Sequence, residues 1–151
     1  MKVVTVTAAS APRLDEQICF ALYNASRALT ARYRDLLAPL GVTYPQYLVL
    51  LVLWETEAIT VSALGARLQL DSGTLSPLLQ RLEKAKLIDR TRRSDDERSV
   101  QISLTMAGSA LSGPAAAIPE QICAATGVDV EKIRSLHNQL TAIADHVRGS
   151  H

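Results

Sequence analysis

TVSALGARLQLDSGTLSPLLQRLEKA, residues 60–85, decides the reading of this chain. Thr60 can cap a short helix through Leu68, in which Val61, Leu64 and Leu68 recur at helical spacing. A turn, Gln69-Leu70-Asp71, follows at once. A second helix is expected from Ser72 to about Ala85, with Leu75, Leu78, Leu79 and Leu82 on one apolar stripe. Ser72, Gly73, Thr74, Ser76, Gln80 and Arg81 lie largely off that stripe. Pro77 falls early in the helix, where a proline is tolerated.

Two short runs come next, Leu87 to Arg92 and Ser99 to Leu104, separated by the polar Arg93-Ser94-Asp95-Asp96-Glu97-Arg98. In the second run Val100, Ile102 and Leu104 alternate with Gln101 and Ser103, the period of a half-buried strand. Helix, turn, helix and hairpin in that order make a winged helix-turn-helix over 60–104. Such a pair of helices lays the second in the DNA major groove, where short polar side chains near its start reach base edges and phosphates.

The chain resembles the MarR family of bacterial transcription regulators over nearly its whole length. The resemblance rests on Leu70-Asp71-Ser72-Gly73-Thr74-Leu75-Ser76, on Leu82-Glu83-Lys84-Ala85-Lys86-Leu87-Ile88, and on Asp96-Glu97-Arg98 in the wing. It implies that Arg98 tips the wing and reaches the minor groove, with Asp96 orienting it, and that Arg92 belongs to the same DNA-facing surface. Taken by itself, Asp96 to Arg98 reads better as a solvated turn; following this helix pair, the wing reading comes first.

Size and charge are compatible with this. At 151 residues the chain is one domain by length, long enough for a good core. The net charge of +1 hides a bias: eight of the sixteen Lys and Arg residues fall between positions 67 and 98. Six acids between Asp71 and Glu97 offset much of it, so pattern rather than charge carries the DNA-binding expectation. The apolar start of Met1 to Pro12 is too short and too interrupted by Thr5 and Thr7 for a signal peptide. Tyr47 to Trp54, the longest apolar run, is far below membrane-spanning length. Two cysteines 104 positions apart fit a cytoplasmic protein with reduced thiols.

Outside the reading head the chain is helical, which sets the fold class as mainly α with a small β wing (α+β). An amphipathic helix of about six turns is expected from Leu14 to Leu37, ending before Pro39 and Gly41. A helix from Gln46 to about Glu55 is apolar nearly all round and belongs in the interior beneath the helix-turn-helix. Thr105 starts a helix that Gly113-Pro114 must bend or stop. A segment from Pro119 to Thr126 carries Cys123, and Gly127 ends it. Val130, Ile133, Leu136, Leu140, Ile143 and Val147 then form the seam of a last helix that runs further than one small domain needs. Residues 13–38 and 105–148 are therefore expected to bury their seams in a homodimer, whose twofold axis sets two recognition helices roughly 34 Å apart on a pseudo-palindromic double-stranded operator.

Cys19 lies near the start of the first helix, and three of the four tyrosines, Tyr23, Tyr33 and Tyr44, follow it within 25 residues. A cysteine reacts as thiolate, and phenols that donate hydrogen bonds to sulfur favour that form. Tyr23, at i+4, can share its face. Tyr33 is fourteen residues on, roughly 21 Å along a straight helix, so any help to Cys19 must come across a dimer. Taken alone, Cys19 reads as a small buried hydrophobe, as cysteines often are. The same holds for Cys123, and Tyr23 and Tyr47 read as ordinary packing aromatics.

The pattern resembles the OhrR-type branch of the MarR family, the organic-hydroperoxide sensors, in its two-cysteine class. That resemblance implies that Cys19 is the peroxide-reacting thiol, supported by Tyr33 and Tyr44 of the partner subunit, with Tyr23 a secondary helper. It further implies that Cys123 of the partner subunit captures the sulfenic acid as an intersubunit disulfide, releasing operator DNA. Three rivals stand beside it. An enzyme is disfavoured, because His137, His146 and His151 sit far from Cys19 in sequence without a motif. No paired Cys-x-x-Cys or clustered histidines suggest a metal, no Gly-rich phosphate loop suggests a nucleotide, and no cofactor is expected. A MarR-type repressor gated by a small phenolic or apolar ligand, with incidental cysteines, is the alternative function, and a constitutive architectural DNA binder is a third.

Overall fold

The computed structural model describes residues 10–92 and 99–149. The proposed wing tip, Asp96 and Arg98 included, lies outside the described residues. A 3-10 turn at Leu14–Glu16 precedes helix α1, Ile18–Leu37. The expected start at Leu14 is thus four residues early, because Gln17 is extended and breaks the run. A second 3-10 turn, Ala38–Leu40, is closed by Gly41 in the left-handed region at φ +72°.

Helix α2 spans Tyr44–Thr56, two residues longer at its start than expected. The reason is a capping box: Thr43 Oγ1 accepts from the Gln46 N–H at 3.4 Å, and the Thr43 N–H donates to Gln46 Oε1 at 2.9 Å. Tyr44 is therefore the first residue of a helix rather than part of the linker. After α2 come β1 (Ala58–Thr60), α3 (Val61–Leu68) and α4 (Ser72–Lys84). Strands β2 (Ile88–Arg92) and β3 (Val100–Leu104) form the hairpin. The three strands make an antiparallel sheet in the order β1-β3-β2, with Ile59 and Arg90 both opposite Ile102. Strand β1 was not expected from the sequence.

The segment after the wing is more broken than the sequence suggested. It runs as α5 (Met106–Ala110), α6 (Ser112–Ala115) and α7 (Ile118–Ala125) before α8 (Val130–Gly149). The first break falls at Leu111, ahead of Gly113-Pro114, and Pro114 sits inside the short α6, where its missing N–H is no loss. Pro77 lies at the sixth position of α4, beyond the first turn, and the helix continues through it. The N–H it lacks is the one that would bond the Gly73 carbonyl. That residue is exposed, so water can take its place.

Burial divides into two cores that share α2 as a wall. Val49, Val52 and Leu53 of α2 pack with Leu64, Leu75, Leu78, Leu79, Leu82, Ile88 and Ile102. On its other side Tyr47 and Leu50 pack with Leu37, Val42, Ala115 and Ile118. A helix apolar nearly all round is what such a position requires. The first core belongs to the reading head and the second to the arms formed by α1 and the segments from α5 onward. Helix α8 buries no residue within the chain, and its Val130, Leu136, Ile143 and Val147 are each at least 46% exposed. No single helix among the described residues is long and apolar enough to cross a membrane.

Candidate nucleic-acid interface and thiol site

The reading surface is built by two caps and one close approach. Thr60 Oγ1 accepts from the Ala63 N–H at 3.2 Å and starts α3. Gln69 ends it in the left-handed region at φ +57°, and the Leu70 N–H then donates to the Gly65 carbonyl at 3.0 Å. A Cβ on Gly65 would stand 3.0 Å from the Leu70 carbonyl oxygen, a tight contact that a larger residue could make only if the turn gave by a few tenths of an ångström. Asp71 caps α4: its Oδ1 accepts from the Thr74 N–H at 2.7 Å. That bond, followed by one from the Thr74 side chain, holds the Asp71 carboxyl below the usual carboxylate range. Sequence reasoning placed Asp71 in the turn and missed its capping role, although an Asp just before a periodic apolar run signals one.

With α4 fixed in this way, Leu75, Leu78, Leu79 and Leu82 face the core. Ser72, Gly73, Thr74, Ser76, Gln80 and Arg81 are all exposed, so six of the expected DNA-facing residues share the outer surface of one helix. Arg92 is exposed at the end of β2 opposite Val100. Arg90, two residues earlier, was not singled out from the sequence. Its Nε lies 3.3 Å from Glu83 Oε2 and its guanidinium 3.5 Å from the Ser76 carbonyl, so it ties the hairpin to α4.

The thiol residues lie on the arms. Cys19 is exposed in the first turn of α1, and Cys123 is half-buried on α7; both are free thiols. Tyr23, one turn on from Cys19, is 59% exposed, and the Arg27 guanidinium sits 5.3 Å from its ring centre. Helix α1 is unbroken from Ile18 to Leu37, so Tyr33 is roughly 21 Å along it from Cys19. Tyr33 and Tyr44 instead meet each other, with ring centres 4.5 Å apart, and Tyr33 is 5.7 Å from Tyr47. Tyr47, 2% exposed, stands edge-on to Trp54 at 6.1 Å.

Burial is the main reason the phenol of Tyr33 is pushed up to about 12, with Tyr44 and then Tyr47 adding to the effect. Burial raises Tyr44 as well. Both phenols consequently keep their protons at ordinary pH and remain hydrogen-bond donors. They line an apolar groove of about 770 Å³ between α1 and α8, together with Leu22, Leu29, Ile122 and Leu140.

Two helices joined by a tight turn, a second helix with an exposed polar face, and a small antiparallel sheet beyond it define a winged-helix DNA-binding protein. The MarR family matches over residues 42–100. The chain is 46% identical over 133 residues to the organic hydroperoxide resistance transcriptional regulator of Bacillus subtilis, covering 88% of this chain and 90% of that one. It is 47% identical over 134 residues to the HTH-type transcriptional regulator TtmR of Methylorubrum extorquens, covering 89% and 69%. Among solved structures, reduced AbfR bound to DNA superposes with a TM-score of 0.74 at 36% identity, covering 89% of this chain and 94% of that one. Disulfide-formed AbfR superposes with a TM-score of 0.60 at 35% identity, covering 87% and 93%. The chain belongs to the MarR family and is a DNA-binding transcriptional regulator.

Proposed function

We propose that the protein is a homodimeric repressor that releases a pseudo-palindromic operator when an organic hydroperoxide oxidises Cys19. The observation that carries this reading is the placement of an exposed thiol at one end of α1 and two half-buried, protonated phenols at the other, beside an apolar groove that one chain leaves open. A partner related by a twofold axis, with α1 antiparallel to this one, would bring its Tyr33 and Tyr44 towards Cys19 and would cover the seam of α8. The name of the Bacillus subtilis relative supports the effector class. The chain superposes better on DNA-bound AbfR, reduced or overoxidized (TM-scores 0.74 and 0.73), than on its disulfide form (0.60), which supports a DNA-competent arrangement of this chain without the disulfide.

In the proposed reaction the Cys19 thiolate attacks the distal peroxide oxygen. The O–O bond breaks, the alcohol leaves after taking a proton, and Cys19 becomes a sulfenic acid. The thiol of Cys123 of the partner subunit then attacks that sulfur, expelling water and forming an S–S bond. Because a disulfide requires Cα atoms within about 7 Å, closure pulls α1 and α7 of opposite subunits together and moves the reading heads. Arg92, Asp96 and Arg98 are assigned to the wing contact, and Ser72 to Arg81 to the major groove.

A non-reducing gel after cumene hydroperoxide treatment tests this. A covalent dimer is expected in wild type and absent from Cys19→Ser and Cys123→Ser; a dimer that persists in either variant overturns the pairing. The apolar groove with its two phenols also suits a small ligand. If Cys19→Ser released operator in response to cumene hydroperoxide as wild type does, that ligand-gated reading would stand instead.

A further inference from the structure

Besides the shared helix α2, the two cores meet where the end of α4 passes the start of α5. Leu87 and Leu104 pack against both the head core and the arm core. Leu87 leaves the recognition helix α4 through a turn in which Lys86 sits at φ +61° and the Leu87 N–H donates to the Leu82 carbonyl at 3.1 Å. The start of α5 docks against this turn. The Thr105 N–H donates to the Leu87 carbonyl at 3.1 Å, and the Thr105 hydroxyl donates to the Lys86 carbonyl at 2.7 Å. The same hydroxyl accepts from the Gly108 N–H at 3.1 Å. From the other side the Trp54 indole N–H of α2 donates to the Gly108 carbonyl at 3.0 Å. Four backbone groups from the end of α4 and the start of α5 are thereby held by two residues.

We infer that Thr105 and Trp54 are positioning residues that lock the angle of the recognition helix against the dimer arms, and so set the half-site spacing the dimer accepts. This rests on the operator-binding dimer proposed above, but not on its peroxide chemistry. In a twofold dimer the arms are the fixed frame, and the spacing and phase of the two recognition helices follow from how each head is held to its arm. The head reaches the arm through α2 and through this joint. Inserting one base pair turns a half-site by about 35° and shifts it about 3.4 Å, a change that only a rigid head-to-arm angle can reject. Losing the indole takes its donor from the carbonyl of buried Gly108, and losing the hydroxyl takes the acceptor from the Gly108 N–H; either loss frees the α4–β2 turn to slide on α5.

The test uses a palindromic duplex selected by the wild-type protein from a random pool, and copies of it with one base pair inserted at, or deleted from, its centre. Reduced wild type, Trp54→Phe, Thr105→Val and Thr105→Ser are compared by equilibrium binding, with the active fraction of each fixed by stoichiometric titration. Wild type is expected to reject the altered spacings, and Trp54→Phe and Thr105→Val to lose that discrimination by at least about fivefold. Thr105→Ser, which keeps the hydroxyl, is expected to retain it. Simple destabilisation would lower the active fraction and leave the ratio between spacings unchanged, and that result in both Trp54→Phe and Thr105→Val would overturn the inference. A wild type that selects no palindrome would overturn the operator-binding dimer itself, and the inference with it.

Discussion

Replacing Gly108 by Ala should destabilise the protein even though alanine is the better helix former. Gly108 is buried in α5, and a Cβ built there would stand 2.1 Å from the Leu87 carbonyl oxygen and 3.1 Å from both the Leu87 carbonyl carbon and Leu104 Cδ2. Separations under 3.0 Å are essentially never seen, and the obstructing atom is backbone, so the two chain segments must part by roughly 1 Å. Gains and losses can be compared. Helix propensity favours alanine by up to about 1 kcal/mol. Overpacking costs about 1–3 kcal/mol. Parting the segments also lengthens the Thr105–Leu87 and Trp54–Gly108 bonds, each worth about 1 kcal/mol. With both bonds lost the net is about 2–4 kcal/mol, which for a chain of this length lowers Tm by roughly 4–16 °C. Thermal unfolding followed by circular dichroism, at one fixed protein concentration for both proteins, measures it, and fluorescence of the single tryptophan reports on the joint itself. Gly113→Ala is the control: a Cβ there would meet nothing within 4 Å, so that change should be neutral or raise stability by about 0.5–1 kcal/mol. A Gly108→Ala protein as stable as Gly113→Ala would refute the close-approach argument.

Alkaline pH should destabilise the protein through Tyr33. Its folded pKa of about 12 lies above the ordinary value of 10, so below pH 10 the phenol is neutral in both states and has no effect on stability. Between pH 10 and 12 the unfolded chain loses the proton while the folded one keeps it, and stability falls as pH rises. Urea midpoints across that range should decline less steeply in Tyr33→Phe; an unchanged slope would disprove the assignment. Thr43→Ala removes half of the capping box of α2 and should cost about 1 kcal/mol by urea denaturation. For Arg81, exposed on the outer face of α4, the expectation concerns binding: if it meets a phosphate, Arg81→Ala should reduce the slope of log affinity against log salt by about one, with little change in sequence preference.

What could be read before the fold was known follows the range over which each signal acts. The leucine stripe of α4 and the seam of α8 repeat every three or four residues, and both helices appear where that period placed them. Strand β1 has three residues, too few to display a period of two, and exists because β3 offers Ala58–Thr60 an open edge. The early start of α2 was written in the sequence, as Thr43 and Gln46 at capping-box spacing, but Pro45 between them drew the boundary too late. Tyr33 and Tyr44 were singled out for their distance from a cysteine. Their contact with each other depends on the turn between α1 and α2, which no spacing rule supplies. The joint at Gly108 was invisible for the same reason: it brings Gly108 against Leu87, far apart in the chain, and its only local mark is a glycine.

The division into two cores bears on how any signal from the arms reaches the DNA. Tyr33 and Tyr44 pack against the arm core, Ile122 beside Cys123 does the same, and α1 carries Cys19 on that side as well. The exposed face of α4 rests wholly on the head core. A single continuous core would resist any relative movement at full packing density, and two unconnected cores would transmit none. Here α2 is common to both, with Leu50 turned to the arm and Leu53 to the head, each fully buried. A rotation of α1 that displaces Tyr33 must therefore either push on Tyr47 and turn α2 or open the gap that Trp54 bridges to Gly108. The first route enters the head core directly through Val49, Val52 and Leu53, and the second runs through Leu87, just beyond the last residue of α4, so the proposed arm chemistry has two contacts through which to move that helix.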